Sequence, residues 1–146
     1  MKYTYPCIFE PEDDEAYEGW YNVSFPGIPG ALTCGRDWKT AMIMAEDCLV
    51  VSLASYVDRQ MELPTPSPWK KGQELFTVQP LIAAQLDLYV AMREQGVTIP
   101  GLAQRLGLPE AHVKRLLSLD YKSSINEVAE ALELLGCNSA VEDLAA

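Results

Sequence analysis

The chain of 146 residues carries 11 Lys and Arg against 21 Asp and Glu, a formal charge of −10, with 4 Cys and 1 His. That length allows one substantial domain or two small ones. So acidic a protein is repelled by phosphate, which excludes tight non-specific binding to nucleic acid. His112 is the lone histidine, and Cys7, Cys34, Cys48 and Cys137 are scattered without a Cys-x-x-Cys pair, so a zinc site is not expected. No run of about 18 apolar residues is present, and Met1 to Glu10 lacks a basic-then-apolar signal, so the expectations are a cytoplasmic location, no membrane and buried, reduced thiols.

In chain order, Tyr3, Tyr5, Cys7 and Phe9 alternate with polar or small residues and predict a half-buried strand over 3–9. An acidic turn follows from Glu10 to Glu18, and 20–25 reads as a second strand closing a hairpin. Pro26-Gly27-Ile28-Pro29-Gly30 requires a tight loop, and 32–35 can supply a short third strand. Asp37 is placed to cap a long helix from Trp38 to about Arg59, with Trp38, Ala41, Met42, Ala45, Leu49, Leu53 and Tyr56 as its core stripe. Ile43, Val50 and Val51 lie off that stripe. They either meet a partner or widen the core face, and the wider core is the expectation.

Three prolines within Leu63-Pro64-Thr65-Pro66-Ser67-Pro68 break the chain, as a loop or a linker that Lys70-Lys71-Gly72-Gln73 prolongs. Leu75-Phe76-Thr77-Val78 can return as a fourth strand, which sets the expected domains at 1–79, containing the Pro-rich loop 64–72, and 80–146. A bundle of about four helices is expected in the second. Ile82, Leu86, Tyr89 and Met92 line a helix ending at Gly96. Thr98 can cap the next, with Pro100 in its first turn, and Ser124 with Glu127 fits a capping box before an apolar stripe from Ile125 to Leu135.

Within that half, Leu102, Ala103, Leu106, Gly107, Val113 and Leu116 have helix-turn-helix spacing. Ala103 is small enough for a second helix to cross, and Gly107 supplies the turn's positive φ. The same spacing fits an ordinary αα corner, but its order favours a surface that enters a DNA major groove. Local charge agrees: between 98 and 122, Arg105, Lys114, Arg115 and Lys122 oppose only Glu110 and Asp120. The motif starts the recognition helix at Pro109, Glu110 and Ala111, one turn before Lys114 and Arg115. Arg115 suits guanine O6 and N7, Lys114 a phosphate, and Glu110 either cytosine N4 or its own helix dipole. Lys122 can hold a backbone phosphate, and Thr98 belongs to the same surface. His112 is expected to pack at the helix edge. So little net positive charge requires a homodimer or higher oligomer on double-stranded operator DNA.

The N-terminal half resembles HicB-type antitoxins. The resemblance rests on Gly19-Trp20-Tyr21-Asn22-Val23-Ser24-Phe25-Pro26-Gly27-Ile28-Pro29-Gly30, then Thr33-Cys34-Gly35, then the helix from Ala41 to Leu49. It covers roughly 3–63, and a Cro/repressor-like helix-turn-helix over roughly 80–136 is one of two DNA-binding modules such proteins use. Lys39-Thr40 departs from the pattern, standing where an acidic residue commonly precedes Ala41. The resemblance implies an α+β chain: a ββαβ-like fragment similar to a truncated ribonuclease H fold, followed by an all-α helix-turn-helix domain. It also implies an antitoxin that silences a small HicA toxin, an mRNA-cleaving ribonuclease, and represses its own operon.

A toxin that handles RNA must be basic, and Glu10, Glu12, Asp13, Asp14, Glu15 and Glu18 offer it a complementary field, with Trp20 as core residue or interface anchor. For each acid alone, a solvated hairpin loop is the competing reading. No cofactor is expected. Ribonuclease H chemistry needs clustered carboxylates on the strands, which 3–9 and 20–25 lack, and no nucleophile–base pair is evident, so an enzyme is not expected. The alternatives are a one-component transcriptional regulator whose first half senses a small molecule, and a ribonuclease H-like nuclease.

Overall fold

A computed structural model describes residues 2–137 of the chain. They form two compact units that divide between Val78 and Gln79. The first holds β1 (Thr4–Pro11), a 3-10 turn (Glu15–Tyr17), β2 (Tyr21–Ser24), β3 (Leu32–Gly35), α1 (Trp38–Asp58) and β4 (Glu74–Thr77). The second holds α2 (Pro80–Gln95), α3 (Ile99–Leu106), α4 (Glu110–Leu117) and α5 (Ile125–Leu134). An antiparallel sheet combined with helices makes the fold α+β.

The sheet order is β3-β2-β1-β4. β1 serves two partners in turn. Its first half pairs with β4, Tyr5 opposite Phe76, and its second half with β2, Phe9 opposite Val23. It runs past Phe9 because Glu10 and Pro11 still find partners in Asn22 and Tyr21. β3 is short yet pairs with β2 along its whole length, so the unit is βββαβ and fuller than a ββαβ fragment.

Pairing fixes the faces. Tyr5, Cys7 and Phe9 point toward α1, where Phe9 meets Trp38 at 4.7 Å and Phe76 at 6.1 Å between ring centroids. Ala41, Ala45, Leu49 and Leu53 are the buried face of α1. Its first turn lies hard against the sheet, since a Cβ on Gly35 would come within 2.3 Å of the Ala41 nitrogen. Asp37 caps the helix as expected, its carboxylate accepting from the Thr40 backbone N–H at 2.7 Å. That bond holds the Asp37 carboxyl below its usual range and puts an acid one position before Trp38, ahead of Lys39-Thr40.

Three expectations are corrected. Ile43 and Val51 do not widen the core: they are 59% and 54% exposed, because the small alanines seat α1 on one sheet layer and, among the described residues, nothing covers these two. The Pro-rich segment, by contrast, lies within the first unit, as the expected bounds have it. The Tyr5 hydroxyl donates to the Pro64 carbonyl at 2.7 Å, and a Cβ on Gly27 would meet the Ser67 backbone at 2.8 Å, so 64–72 is packed on the first unit and leads into β4. Ser124 and Glu127 form no capping box, since the Ser124 side chain makes no cap bond and the Glu127 carboxylate reaches His112 on α4 instead. Finally, Cys34 is exposed on β3, although Cys7 is buried and all four thiols are free.

By length and composition alone α1 is apolar enough to cross a membrane. Its Ala41, Ala45 and Leu53 are nonetheless completely buried, as in the core helix of a folded unit. Within the second unit, α2 buries Ala84, Leu86, Leu88, Tyr89 and Met92, and α3, α4 and α5 contribute Leu102, Val113, Leu116, Val128 and Leu132.

Candidate functional site

The first candidate surface is built on α3 and α4. Thr98 caps α3 by accepting from the Gly101 N–H at 3.1 Å, and Pro100 sits in the first turn, where its missing N–H costs nothing. Gly107 closes α3 at φ +68°, with the Leu108 N–H returning to the Ala103 carbonyl at 3.0 Å. That turn aims the chain into Pro109, whose carbonyl receives the His112 and Val113 N–H groups at 3.0 and 3.3 Å and so starts α4. Leu102, Ala103, Val113 and Leu116 are buried, as the spacing requires, and Leu106 is half-buried.

On α4 the structure brings Glu110, Ala111, Lys114 and Arg115 together on one exposed face, with Pro109 exposed at its start. Thr98 is exposed too, but its hydroxyl is engaged as a cap. Lys122 is exposed on the loop after α4. That loop folds back on the helix: Ser123 donates to the Arg115 carbonyl at 2.9 Å, and the Arg115 guanidinium lies 5.6 Å from the Tyr121 ring centroid. His112 packs at the helix edge as expected and bonds Glu127 of α5.

Sequence reasoning missed Gln85. Only 1% exposed on α2, it donates from Nε2 to the carbonyls of Leu116 at 3.0 Å and Ser118 at 2.9 Å. It thereby satisfies the Leu116 carbonyl at the end of α4 and joins the Tyr121 N–H on the Ser118 carbonyl. The signal was there to read: an amide on a helix apolar on both flanks must find a partner when buried.

The second candidate surface is the acidic hairpin. Its residues divide into those that build it and those that face water. Glu12 accepts from the Asn22 amide at 2.7 Å and from the Asp13 N–H at 3.0 Å, and the Asn22 bond is the main reason its carboxyl titrates below the usual range. Asp14 caps the 3-10 turn by accepting from the Ala16 N–H at 2.9 Å. Glu10, Asp13, Glu15 and Glu18 are exposed. Trp20 is half-buried, edge-on to Tyr17 at 5.6 Å, and Tyr21 meets Trp38 at 5.2 Å, so the hairpin's closing strand rests on the start of α1. A cleft of about 250 Å³ opens elsewhere in this unit, between the Pro-Gly loop and the end of α1, lined by Ile28, Ser52, Ser55, Tyr56 and Arg59 among others. Among the described residues no group of three or more His, Cys, Asp or Glu is placed to hold a metal.

The family described as "HicB_like antitoxin of bacterial toxin-antitoxin system" matches residues 4–86. Similarity to individual proteins extends further. Antitoxin HicB 2 of Photorhabdus laumondii subsp. laumondii is 36% identical over 132 residues, covering 90% of each chain. Antitoxin HicB of Escherichia coli K12 is 33% identical over 132 residues, covering 90% of this chain and 93% of its own. A family match over more than half of the chain, joined to relatives of this identity along nearly their full length, settles kinship: the chain belongs to the HicB-like family of bacterial antitoxins, whose role is not enzymatic.

Proposed function

We propose that the first unit binds and inhibits a HicA-type mRNA-cleaving toxin, and that the second represses the chain's own operon by binding operator DNA in the cytoplasm. The observation that carries the DNA half is the outer face of α4, where Lys114 and Arg115 stand exposed beside a single acid, Glu110, in a chain of net charge −10. Val113 and Leu116 anchor that helix from behind, leaving Arg115 to read guanine and Lys114 to hold phosphate. Tyr121 supports the Arg115 guanidinium from one side, which reduces the side-chain freedom lost on binding. Thr98, Pro109, Ala111 and Lys122 complete the surface. With this little positive charge per copy, a homodimer or higher oligomer supplies two half-sites. The toxin half draws on family membership and on the acidic hairpin, whose field attracts a basic, RNA-handling protein.

The test combines a search for a short basic reading frame beside the gene, co-purification with its product, and footprinting on the upstream DNA. Co-purification, a symmetrical footprint and an oligomer in sedimentation are expected. A chain that binds neither the product nor the DNA overturns the proposal.

A further inference from the structure

α1 is more apolar than its place in the fold uses. Among the described residues it is the helix apolar enough to pass for a membrane span, yet only 33% of that apolar stretch is buried. The surplus is not scattered. Ile43, Asp47 and Val51 follow one another at i, i+4 and i+8, so they lie in a row on one side of the helix. Met44 stands beside them. Ile43 is 59% exposed and Val51 54%, with Met44 and Asp47 exposed as well and Val50 half-buried next to them. The opposite side carries Ala41, Ala45, Leu49 and Leu53 onto the sheet. A row of β-branched aliphatic residues facing water, with one carboxylate at its centre, is costly to expose and marks a contact surface.

Charge decides what covers it. Between Thr40 and Asp58 the helix has no Lys or Arg, while Glu46, Asp47 and Asp58 are acidic and exposed. A second copy packed about a two-fold axis centred on this row would set Asp47 against Asp47, a like-charge pair at the middle of the interface. An anionic bilayer is disfavoured for the same reason. A basic protein with an apolar patch fits both features. We infer that the row Ile43, Met44, Asp47 and Val51 on α1 is the surface on which the basic toxin is held, an inference that rests on the antitoxin reading above. The hairpin acids then have a different task. They start from the same end of the unit, since Tyr21 of the hairpin packs on Trp38, the first residue of α1. Their exposed charges speed encounter, whereas the desolvated row sets how long the complex lasts.

Binding kinetics of the full-length chain with the purified, catalytically inactivated cognate HicA-type toxin tests this. Ile43→Ser, Val51→Ser and Asp47→Lys should each raise the dissociation rate about ten-fold or more, with helix content by circular dichroism unchanged. Glu15→Gln with Glu18→Gln should instead slow association and flatten its salt dependence, leaving dissociation nearly as it was. If the three α1 variants release the toxin at the wild-type rate while the wild-type chain binds it, the inference falls and the antitoxin reading stands. If the wild-type chain does not bind the toxin, the antitoxin reading itself falls and the inference with it. If Ile43→Ser instead turns a dimer into a monomer without changing toxin release, a second copy is the occupant and the inference is overturned.

Discussion

Two residues show how closely single positions are fitted. Gly35 has no room for a side chain: a Cβ there would meet the backbone of Ala41 and Thr40 at under 3 Å, and backbone cannot step aside as a flexible side chain can. Gly35→Ala should therefore cost about 3 kcal/mol, read as a lower midpoint in urea denaturation, by prising α1 off β3. An unchanged midpoint would show that the helix can shift freely. Cys7 faces α1, where burial is the first cause and nearby Cys48 the second that push its thiol up to about 12, and burial likewise pushes the Tyr5 hydroxyl up to about 12. Both folded groups hold their protons after the unfolded chain, with ordinary values of 9.0 and 10.0, has begun to lose them. The stabilisation is fully present below pH 9 and is lost as pH rises toward 12. Thermal melts from pH 8 to 11 should show a steady fall, and Cys7→Ala should make that fall shallower; an equal slope would remove Cys7 as a cause.

Among elements, α4 is the one whose placement matters most and whose own ends hold it least. Pro109 supplies no side-chain cap at its start, and at its other end Gln85 of α2 takes up the Leu116 carbonyl. Gln85→Leu keeps the volume but strands the Leu116 carbonyl, so it should destabilise the second unit by about 1–3 kcal/mol. On the proposed function it should also weaken operator binding while toxin binding persists, measured by denaturation and gel shift in parallel. Equal stability would mean that water replaces the amide without loss. On the outer face, Arg115→Ala should cost about 1–3 kcal/mol on operator DNA and relax preference at one position per half-site. Lys114→Ala should weaken operator and scrambled DNA alike and reduce the salt slope by about 1. Equal losses on both DNAs for Arg115→Ala would demote it to a phosphate contact. The helices were legible because Thr98, Gly96, Gly107 and Gly136 punctuate them, three with positive φ. The Ser124–Glu127 box was misread because a local pattern is silent about a competing donor: His112, 15 residues away in sequence, reaches the same carboxylate.

At the scale of the molecule, the two units predict a separation of tasks. A fragment ending at Val78 keeps β4 paired to β1 and the Pro64 carbonyl on Tyr5, and should neutralise the toxin in co-expression. One ending at Leu63 loses both, leaves the first half of β1 unpaired and should fail. Rescue by the shorter fragment, or only by residues from Gln79 onward, would contradict this. The sequence alone determined the element order, the α+β class and the caps at Asp37 and Thr98, because periodicity and turn chemistry are local. Family membership was legible for the same reason: the Phe-Pro-Gly-Ile-Pro-Gly turn and Thr-Cys-Gly segment are contiguous. Tertiary structure decided the rest. It seated Pro64 on Tyr5 and Ser67 on Gly27, left Ile43 and Val51 on the surface, gave Glu127 to His112 and set Gln85 under α4. Each of these depends on which distant atom arrives first at a shared space or bond, and one-dimensional spacing carries no record of that competition.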